Sequence, residues 1–148
     1  MELIIQSENE MMSLGGELFQ CVPAGSIVFL KGALGAGKTT LVRGMLRAAG
    51  HTGPVKSPTY TLVESYQPGS QIFYHFDLYR LSDPEEIEYI GLRDYLRDDS
   101  ICLIEWPEKG EGVLPRADLD IRIEYQQSAR NVLLMTHSDL SLDNLVEC

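Results

Sequence analysis

The spacing of apolar residues along the chain predicts an alternation of strands and helices. Short apolar runs and strict alternation are typical of β-strands, whereas apolar positions three or four residues apart are typical of helices that bury one face. On these grounds we predict strands over residues 3–6, 27–31, 61–66, 71–78, 101–104, 119–125 and 132–136. The third and fourth strands flank a turn at 67–70 and are expected to form a hairpin. Helices are predicted after Ser7, Gly37 and Asp83, which indicates an α/β fold.

Local signals mark where these helices begin and end. Ser7 and Glu10 have the spacing of a capping box, in which both side chains bind free backbone amides at the start of a helix. Gly50 is expected to end the second helix, because glycine readily adopts the left-handed conformation found there. Asp83 is expected to cap the third helix, and Gly91 to bend or break it.

The length and charge of the chain narrow the classes of protein to consider. With 148 residues and no repeat or long linker, we expect a single domain over 1–148, with an acidic tail over 138–148 where fraying is expected. Twelve Lys and Arg residues against 22 Asp and Glu residues give a net charge of −10. Because nucleic acids attract basic surfaces, this charge argues against direct, stable binding of DNA or RNA by the chain alone.

The sequence has no feature typical of a membrane protein. Apolar runs such as 27–30 contain four residues, whereas a helix that crosses a bilayer needs about 20. The amino terminus lacks the basic stretch and long apolar segment of a secretory signal. We therefore expect a cytoplasmic protein without a membrane partner.

The most specific motif is the glycine-rich segment 32–39, GALGAGKT, which matches the phosphate-binding pattern GxxxxGK[ST] at every fixed position. Glycines let backbone amides approach phosphate oxygens, and the helix that follows directs its positive dipole end toward them. Lys38 supplies a cation for the β- and γ-phosphates, and the Thr39 hydroxyl can ligate Mg²⁺. We therefore predict ATP and Mg²⁺ as ligands. The predicted nucleotide contacts are Gly32, Leu34, Gly35, Ala36, Gly37, Lys38, Thr39 and Thr40.

Two carboxylates at predicted strand ends are candidates for catalysis and metal binding. Glu105 follows four apolar residues, so we expect it at the end of a buried strand, where it completes a Mg²⁺ site with Thr39. Asp77 is expected to orient the attacking water or a water bound to the metal. The alternatives are a solvated residue before a turn for Glu105 and an exposed strand face for Asp77.

Three further residues near these carboxylates are open to two interpretations. Thr59 lies in the loop 57–61, where a hydroxyl can sense the γ-phosphate, although a plain proline-anchored loop is the alternative. Trp106 directly follows Glu105 and is expected either to contact a partner or to fill the core. His75 is more often a packed strand residue than a ligand, since no second histidine stands at metal spacing.

Four segments together resemble the TsaE (YjeE) family of small bacterial ATPases. They are GALGAGKTT at 32–40, SPTYT at 57–61, HFDLYR at 75–80 and IEWPEK at 104–109. Proteins of this family support synthesis of the threonylcarbamoyl group on the adenosine next to the tRNA anticodon. The resemblance covers about residues 24–110 and implies a P-loop NTPase-like domain with a central mixed sheet flanked by helices.

The resemblance also implies roles for residues and for partner proteins. Lys38 and Thr39 would hold phosphate and Mg²⁺, Glu105 would complete the metal site, and Asp77 and Trp106 would matter for turnover. TsaB and TsaD are the implied partners, and TsaD carries the transfer chemistry. No motif after residue 110 matches, so the adenine pocket is unassigned. The loop 126–131, which contains Arg130, is a candidate for it.

Three functions are compatible with these observations. The first is an ATPase, slow without partners, that resets or energises a tRNA-modifying complex. The second is a small-metabolite kinase, which would need an acceptor pocket and an arginine-rich lid, whereas the eight arginines are scattered along the chain. The third is a nucleotide-gated binding module that does not hydrolyse its ligand.

Overall fold

The structure is a computed structural model that describes residues 1–145, and its centre is one mixed β-sheet. Within that range the strands are β1 (Glu2–Ile5), β2 (Ile27–Gly32), β3 (Val63–Tyr66), β4 (Ile72–Asp77), β5 (Ser100–Glu105), β6 (Leu119–Gln126) and β7 (Ala129–Thr136). Their order across the sheet is β1-β7-β6-β2-β5-β4-β3. The helices are α1 (Glu8–Cys21), α2 (Lys38–Ala48) and α3 (Glu86–Tyr89), with single 3-10 turns at Leu92–Asp94, Pro107–Gly110 and Asp143–Leu145.

The strand directions bring the ends of β2, β4 and β5 to one edge of the sheet. β2 runs parallel to both of its neighbours, β5 and β6, and β4 runs parallel to β5. The remaining pairs, β1 with β7, β6 with β7 and β3 with β4, are antiparallel. Open α/β sheets bind ligands at the carboxyl ends of their parallel strands. The prediction of an α/β, P-loop NTPase-like fold with a central mixed sheet is confirmed.

Two apolar clusters cover the two faces of the sheet. α1 and α2 pack over one face and bury residues such as Leu18, Leu41 and Met45 against the strands. Near β4 and β5 the opposite face is covered by the α3 region, where Ile87 and Leu92 are buried. The alternation of side chains along each strand thus serves two separate apolar layers.

α1 and α2 lie in backbone contact because each has a glycine at their crossing. A Cβ on Gly15 would collide with the carbonyl of Leu41, and a Cβ on Gly44 would collide with the carbonyl of Met12. This contact holds the first turns of α2, together with the loop that precedes them, against α1.

The predicted termini of the first two helices agree with the structure. The Ser7 hydroxyl accepts a hydrogen bond from the backbone N–H of Glu10, at 3.1 Å. The Glu10 carboxylate in return accepts one from the backbone N–H of Gln6, at 2.6 Å. α2 ends at Ala48, and Gly50 follows with a φ of +107°.

The third helix is shorter than its capping signal predicts. Asp83 accepts a hydrogen bond from the backbone N–H of Glu85, at 2.9 Å, and so forms a turn rather than the cap. The helix begins at Glu86 and contains four residues. It ends before Gly91, whose φ is +74°. The backbone bonds from Glu86 to Asp83 and from Ile87 to Pro84 span three residues, as in a 3-10 turn, which explains the late start of the α-helix.

Two predicted strand starts differ from the structure by more than one residue. β3 begins at Val63 rather than at residue 61, because Leu62 adopts a φ of +68° that interrupts the extended backbone. β7 begins at Ala129, so most of the segment 126–131 is strand instead of loop. The link between β6 and β7 is a two-residue turn in which Gln127 has a φ of +55°.

Within the segment 138–148, where fraying is expected, two leucines pack on the core. Leu140 and Leu145 are buried in the same cluster as α1 and α2. Residues 146–148, including Cys148, lie outside the described residues. Among the described residues, no helix has the length and apolar character needed to cross a membrane.

Candidate functional site

The glycine-rich loop leads from the end of β2 into the first turn of α2. Gly32, Gly35 and Gly37 all have positive φ values, of +153°, +78° and +120°, which side chains rarely allow. A Cβ on Gly32 would come within 2.6 Å of the Ile123 carbonyl oxygen. Among residues 1–145, no side chain caps the start of α2. The amides of its first turn are therefore not committed to a side chain of the protein, as an anion site requires.

Lys38, the first residue of α2, lies under this loop and is 5% exposed. Its Nζ donates a hydrogen bond to the Gly32 carbonyl oxygen at 2.6 Å and lies 3.9 Å from Oε1 of Glu105. Nζ also lies 4.1 Å from the centre of the Trp106 ring. Burial lowers the pKa of Lys38, and the negative charges of Glu105 and Asp77 oppose that shift.

Asp77 and Glu105 end adjacent parallel strands and stand opposite each other in the register. Each is 3% exposed. Neither residue is the solvated or exposed-face residue that the alternative interpretations required. The structure therefore brings both candidate carboxylates to the buried end of the sheet beside Lys38.

Thr59 and Asp77, which are far apart in the sequence, are in direct contact. The Thr59 hydroxyl donates a hydrogen bond to Oδ2 of Asp77 at 3.0 Å, and the Ser57 hydroxyl lies 2.8 Å from that of Thr59. Oδ1 of Asp77 accepts a hydrogen bond from the backbone N–H of Tyr79 at 3.0 Å. The loop 57–61 is thus tied to the carboxylate rather than only anchored by its proline.

Trp106 is half-buried and joins Lys38 to the neighbouring segment. Its backbone is left-handed, with φ +56° and ψ +50°, a conformation that costs a non-glycine residue about 1 kcal/mol or more. Its ring centre lies 5.0 Å from that of Tyr79. Its Nε1 is buried without a hydrogen-bond partner among the residues described. Trp106 therefore packs between Lys38 and Tyr79 at the edge of the site.

His75 contacts Glu105, which the sequence did not indicate. Its ring is fully buried, and Nε2 lies 2.5 Å from Oε2 of Glu105. The sequence predicted a packed strand residue, which is right about its burial but omits this polar contact. A signal was available only in part, since His75 and Asp77 share one face of a strand by their spacing, whereas the pairing with β5 is not local.

The other side of the loop is held by residues from the β6–β7 hairpin. The Tyr125 hydroxyl donates to the Leu34 carbonyl oxygen, and Nε of Arg130 donates to the Ala36 carbonyl oxygen, both at 3.0 Å. The guanidinium carbon of Arg130 also lies 4.2 Å from the centre of the Tyr125 ring. Tyr125 was not among the predicted site residues. Its hydroxyl braces the loop from the neighbouring strand.

The remaining predicted loop residues differ in exposure. Ala36 is buried, Leu34 is 60% exposed, and Thr39 and Thr40 are half-buried in the first turn of α2. A cavity of about 250 Å³ opens beside the loop. Its lining includes Ser7, Met11, Gly37, Thr40, Ser128 and Arg130.

The residues present fit a magnesium–nucleotide ligand. Mg²⁺ takes oxygen donors and is commonly held by one or two carboxylates together with the phosphates of the substrate. The hydroxyl of Thr39 and the carboxylates of Glu105 and Asp77 are donors of this kind. A loop whose glycines leave no room for side chains, followed by a helix without a side-chain cap, suits the phosphates.

The chain is similar in sequence and in fold to known proteins. The family model described as "Threonylcarbamoyl adenosine biosynthesis protein TsaE" matches residues 5–132. The tRNA threonylcarbamoyladenosine biosynthesis protein TsaE of Haemophilus influenzae is 60% identical over 114 residues, which are 77% of this chain and 72% of that protein. The protein of the same name from Synechocystis is 42% identical over 113 residues, 74% of this chain and 71% of that protein.

A solved structure has a similar fold. The crystal structure of Bacillus subtilis YdiB aligns with a TM-score of 0.80 at 26% identity and covers 94% of this chain and 86% of that chain. Together with the family model, this similarity extends well beyond the segment 24–110 on which the resemblance rested. The chain belongs to the TsaE family.

Proposed function

We propose that this chain is a Mg²⁺-dependent ATP-binding protein and a slow ATPase that supports threonylcarbamoyladenosine modification of tRNA together with TsaB and TsaD. The observation that carries the proposal is the convergence of Lys38, Asp77 and Glu105, all buried, at the start of α2. The names of the relatives, which place them in tRNA threonylcarbamoyladenosine biosynthesis, support the assignment to this pathway.

In this proposal each buried residue has a separate task. The loop amides and Lys38 bind the phosphates, and Thr39 and Glu105 hold Mg²⁺, which neutralises charge on the β- and γ-phosphates when bound. Asp77 orients the attacking water, because its carboxylate is fixed by Thr59 and by the backbone of Tyr79. Thr59 couples the loop 57–61 to that carboxylate and so to the state of the γ-phosphate.

The direct test is phosphate release from ATP by the purified chain, with and without Mg²⁺. Slow release that requires Mg²⁺ is the expected result. ATP binding with no release, even in the presence of TsaB and TsaD, would instead favour a nucleotide-gated module. Phosphate transfer to a metabolite without release would favour a kinase.

We also predict that the chain binds ATP more tightly than GTP. The guanine-reading pattern NKxD is absent, since no Asn in the chain is followed by Lys. We assign the nucleoside to the cavity between the loop and Arg130, which lies next to Gly37 and Thr40. Competition of ATP and GTP against a fluorescent ATP analogue measures the difference, with ADP and GDP as a second pair. Equal competition by the two nucleotides would contradict the prediction.

Partner binding is expected at the exposed side of the loop 57–61. Tyr60 is 80% exposed there, and its ring lies 4.2 Å from the guanidinium carbon of Arg80. The Arg80 guanidinium thus packs on the same exposed loop. We propose that a surface of TsaB and TsaD completes the site at this loop and at Trp106, and that the bound nucleotide controls docking.

The partner prediction has two measurements. The ATPase rate should rise when TsaB and TsaD are added, and these proteins should be retained by the tagged chain more strongly in ATP than in ADP. Tyr60→Ala should reduce retention, whereas Tyr89→Ala, which removes an equally exposed tyrosine on α3, should not. Full activity of the isolated chain together with retention that ignores the nucleotide would refute the prediction.

A further inference from the structure

We propose that His75 is a positioning residue that orients the carboxylate of Glu105 toward the phosphate and metal site. The inference rests on the proposed function, because it assigns a role to a residue that acts on Glu105. It concerns the one polar side chain at the site, among those described, that is fully buried and that the proposed chemistry has not used.

The two oxygens of Glu105 have different neighbours. Oε2 lies 2.5 Å from Nε2 of His75, and Oε1 lies 3.9 Å from Nζ of Lys38. A carboxylate that is bound at one oxygen cannot rotate freely, so the other oxygen keeps a fixed direction. His75 thus holds Oε2 on the inner side, and Oε1 faces the residue that is expected to bind phosphate.

The sheet explains why His75 reaches this oxygen. On β4, His75 stands opposite Leu103 of β5, two residues before Glu105. Residues two apart on a strand point to the same face, so Leu103 and Glu105 share a face with His75 and Asp77. The ring therefore lies behind the two carboxylates, on the core side of the site.

The partners of the ring identify which nitrogen carries the proton. An ionised carboxylate has only acceptors, so Nε2 of His75 is the donor to Glu105. Nδ1 is buried without a partner in the described part of the chain. A proton on Nδ1 would be buried without an acceptor, which costs about 1–3 kcal/mol. The geometry therefore favours a proton on Nε2, which donates to Glu105.

This arrangement has a specific advantage for a metal ligand. The contact with His75 occupies only Oε2, so Oε1 of Glu105 keeps its direction and stays available to a divalent cation. Residues that support metal ligands in this way typically change metal affinity by about 10- to 100-fold when they are replaced. A purely structural histidine would change the stability of the fold and would leave the Mg²⁺ dependence unaltered.

The first experiment compares His75→Gln with His75→Leu. Glutamine has a terminal N–H₂ that can replace the Nε2 donor, whereas leucine fills similar space without a donor. We expect His75→Leu to raise the Mg²⁺ concentration at half-maximal ATP binding by about 10-fold or more, with ATP binding in EDTA unchanged. His75→Gln should recover most of this loss. Melting temperatures of both variants report the structural contribution separately.

The second experiment needs no variant and no nucleotide. In protein with ¹⁵N-labelled histidine, the nitrogen shifts of His75 should report the Nε2–H tautomer, with an N–H proton far downfield and slow to exchange. A proton on Nδ1 with none on Nε2 would overturn the proposal. This result decides the hydrogen bond even if the leucine variant does not fold.

The two experiments separate this inference from the proposed function. A parent chain that neither binds nor hydrolyses ATP would refute the proposed function, while the tautomer would still test the His75–Glu105 hydrogen bond. If the parent binds Mg²⁺-ATP and His75→Leu titrates Mg²⁺ like the parent, the positioning role is refuted. Equal Mg²⁺ weakening in the glutamine and leucine variants would also refute it.

Discussion

Replacing Lys38 with alanine is expected to lower the affinity for ATP by about 10- to 150-fold, with the fold intact. The estimate corresponds to one charge-assisted hydrogen bond of about 1.5–3 kcal/mol. Isothermal titration with ATP and Mg²⁺ measures the loss, and circular dichroism checks the fold.

Lys31→Ala is the matched control for this variant. Lys31 directly precedes the loop, but its Nζ contacts Asp120 at 3.0 Å and its side chain is 32% exposed. Lys31→Ala also removes one positive charge, seven positions before Lys38 in the sequence. It should leave the affinity for ATP nearly unchanged. A folded Lys38→Ala protein that binds and hydrolyses ATP like the parent would contradict the central assignment.

The second large effect is expected from replacing the two carboxylates, Asp77 and Glu105. One substitution should lower the rate of hydrolysis, and the other should weaken Mg²⁺-dependent binding. Asp77→Asn should lower the rate of hydrolysis by about 10²- to 10⁴-fold, the usual contribution of a group that handles a proton in the transition state, with ATP binding retained. Glu105→Gln should mainly raise the Mg²⁺ concentration needed for ATP binding, by about 10-fold or more. Both changes keep the size of the buried side chain.

The measurement is a titration of Mg²⁺ at fixed ATP, followed by single-turnover hydrolysis at saturating Mg²⁺. Glu88→Gln removes one negative charge at an exposed position on α3 and serves as the control for net charge. If both buried variants titrate Mg²⁺ and hydrolyse ATP like the parent, the roles of Asp77 and Glu105 are wrong, although the phosphate loop is not affected.

The parts of the site that follow from local sequence were predicted well. The glycines of the loop, the cap at Ser7 and the end of α2 near Gly50 depend on residues a few positions apart, and the structure agrees with each. The burial of Glu105 also followed from the apolar run before it. Such features are set by backbone conformation and short-range hydrogen bonds.

The parts that depend on contacts between distant segments were not predictable. The hydrogen bond from His75 to Glu105 requires the parallel pairing of β4 with β5, across a separation of 30 residues. The support from Tyr125 crosses 91 residues. The acidic composition of 138–148 also did not indicate that Leu140 is buried in the core. Composition reports the average polarity of a segment and not which of its residues are buried.

The place of the Lys38 ammonium beside Glu105 has a consequence for the order of assembly. In the chain without ligands, this cation lies where the carboxylate would otherwise attract a divalent ion, and two cations repel each other at such short range. Phosphates would draw the ammonium toward themselves and release the carboxylate. We therefore expect the metal to arrive with the nucleotide as a pre-formed complex. Free Mg²⁺ alone should bind weakly at this end of the sheet.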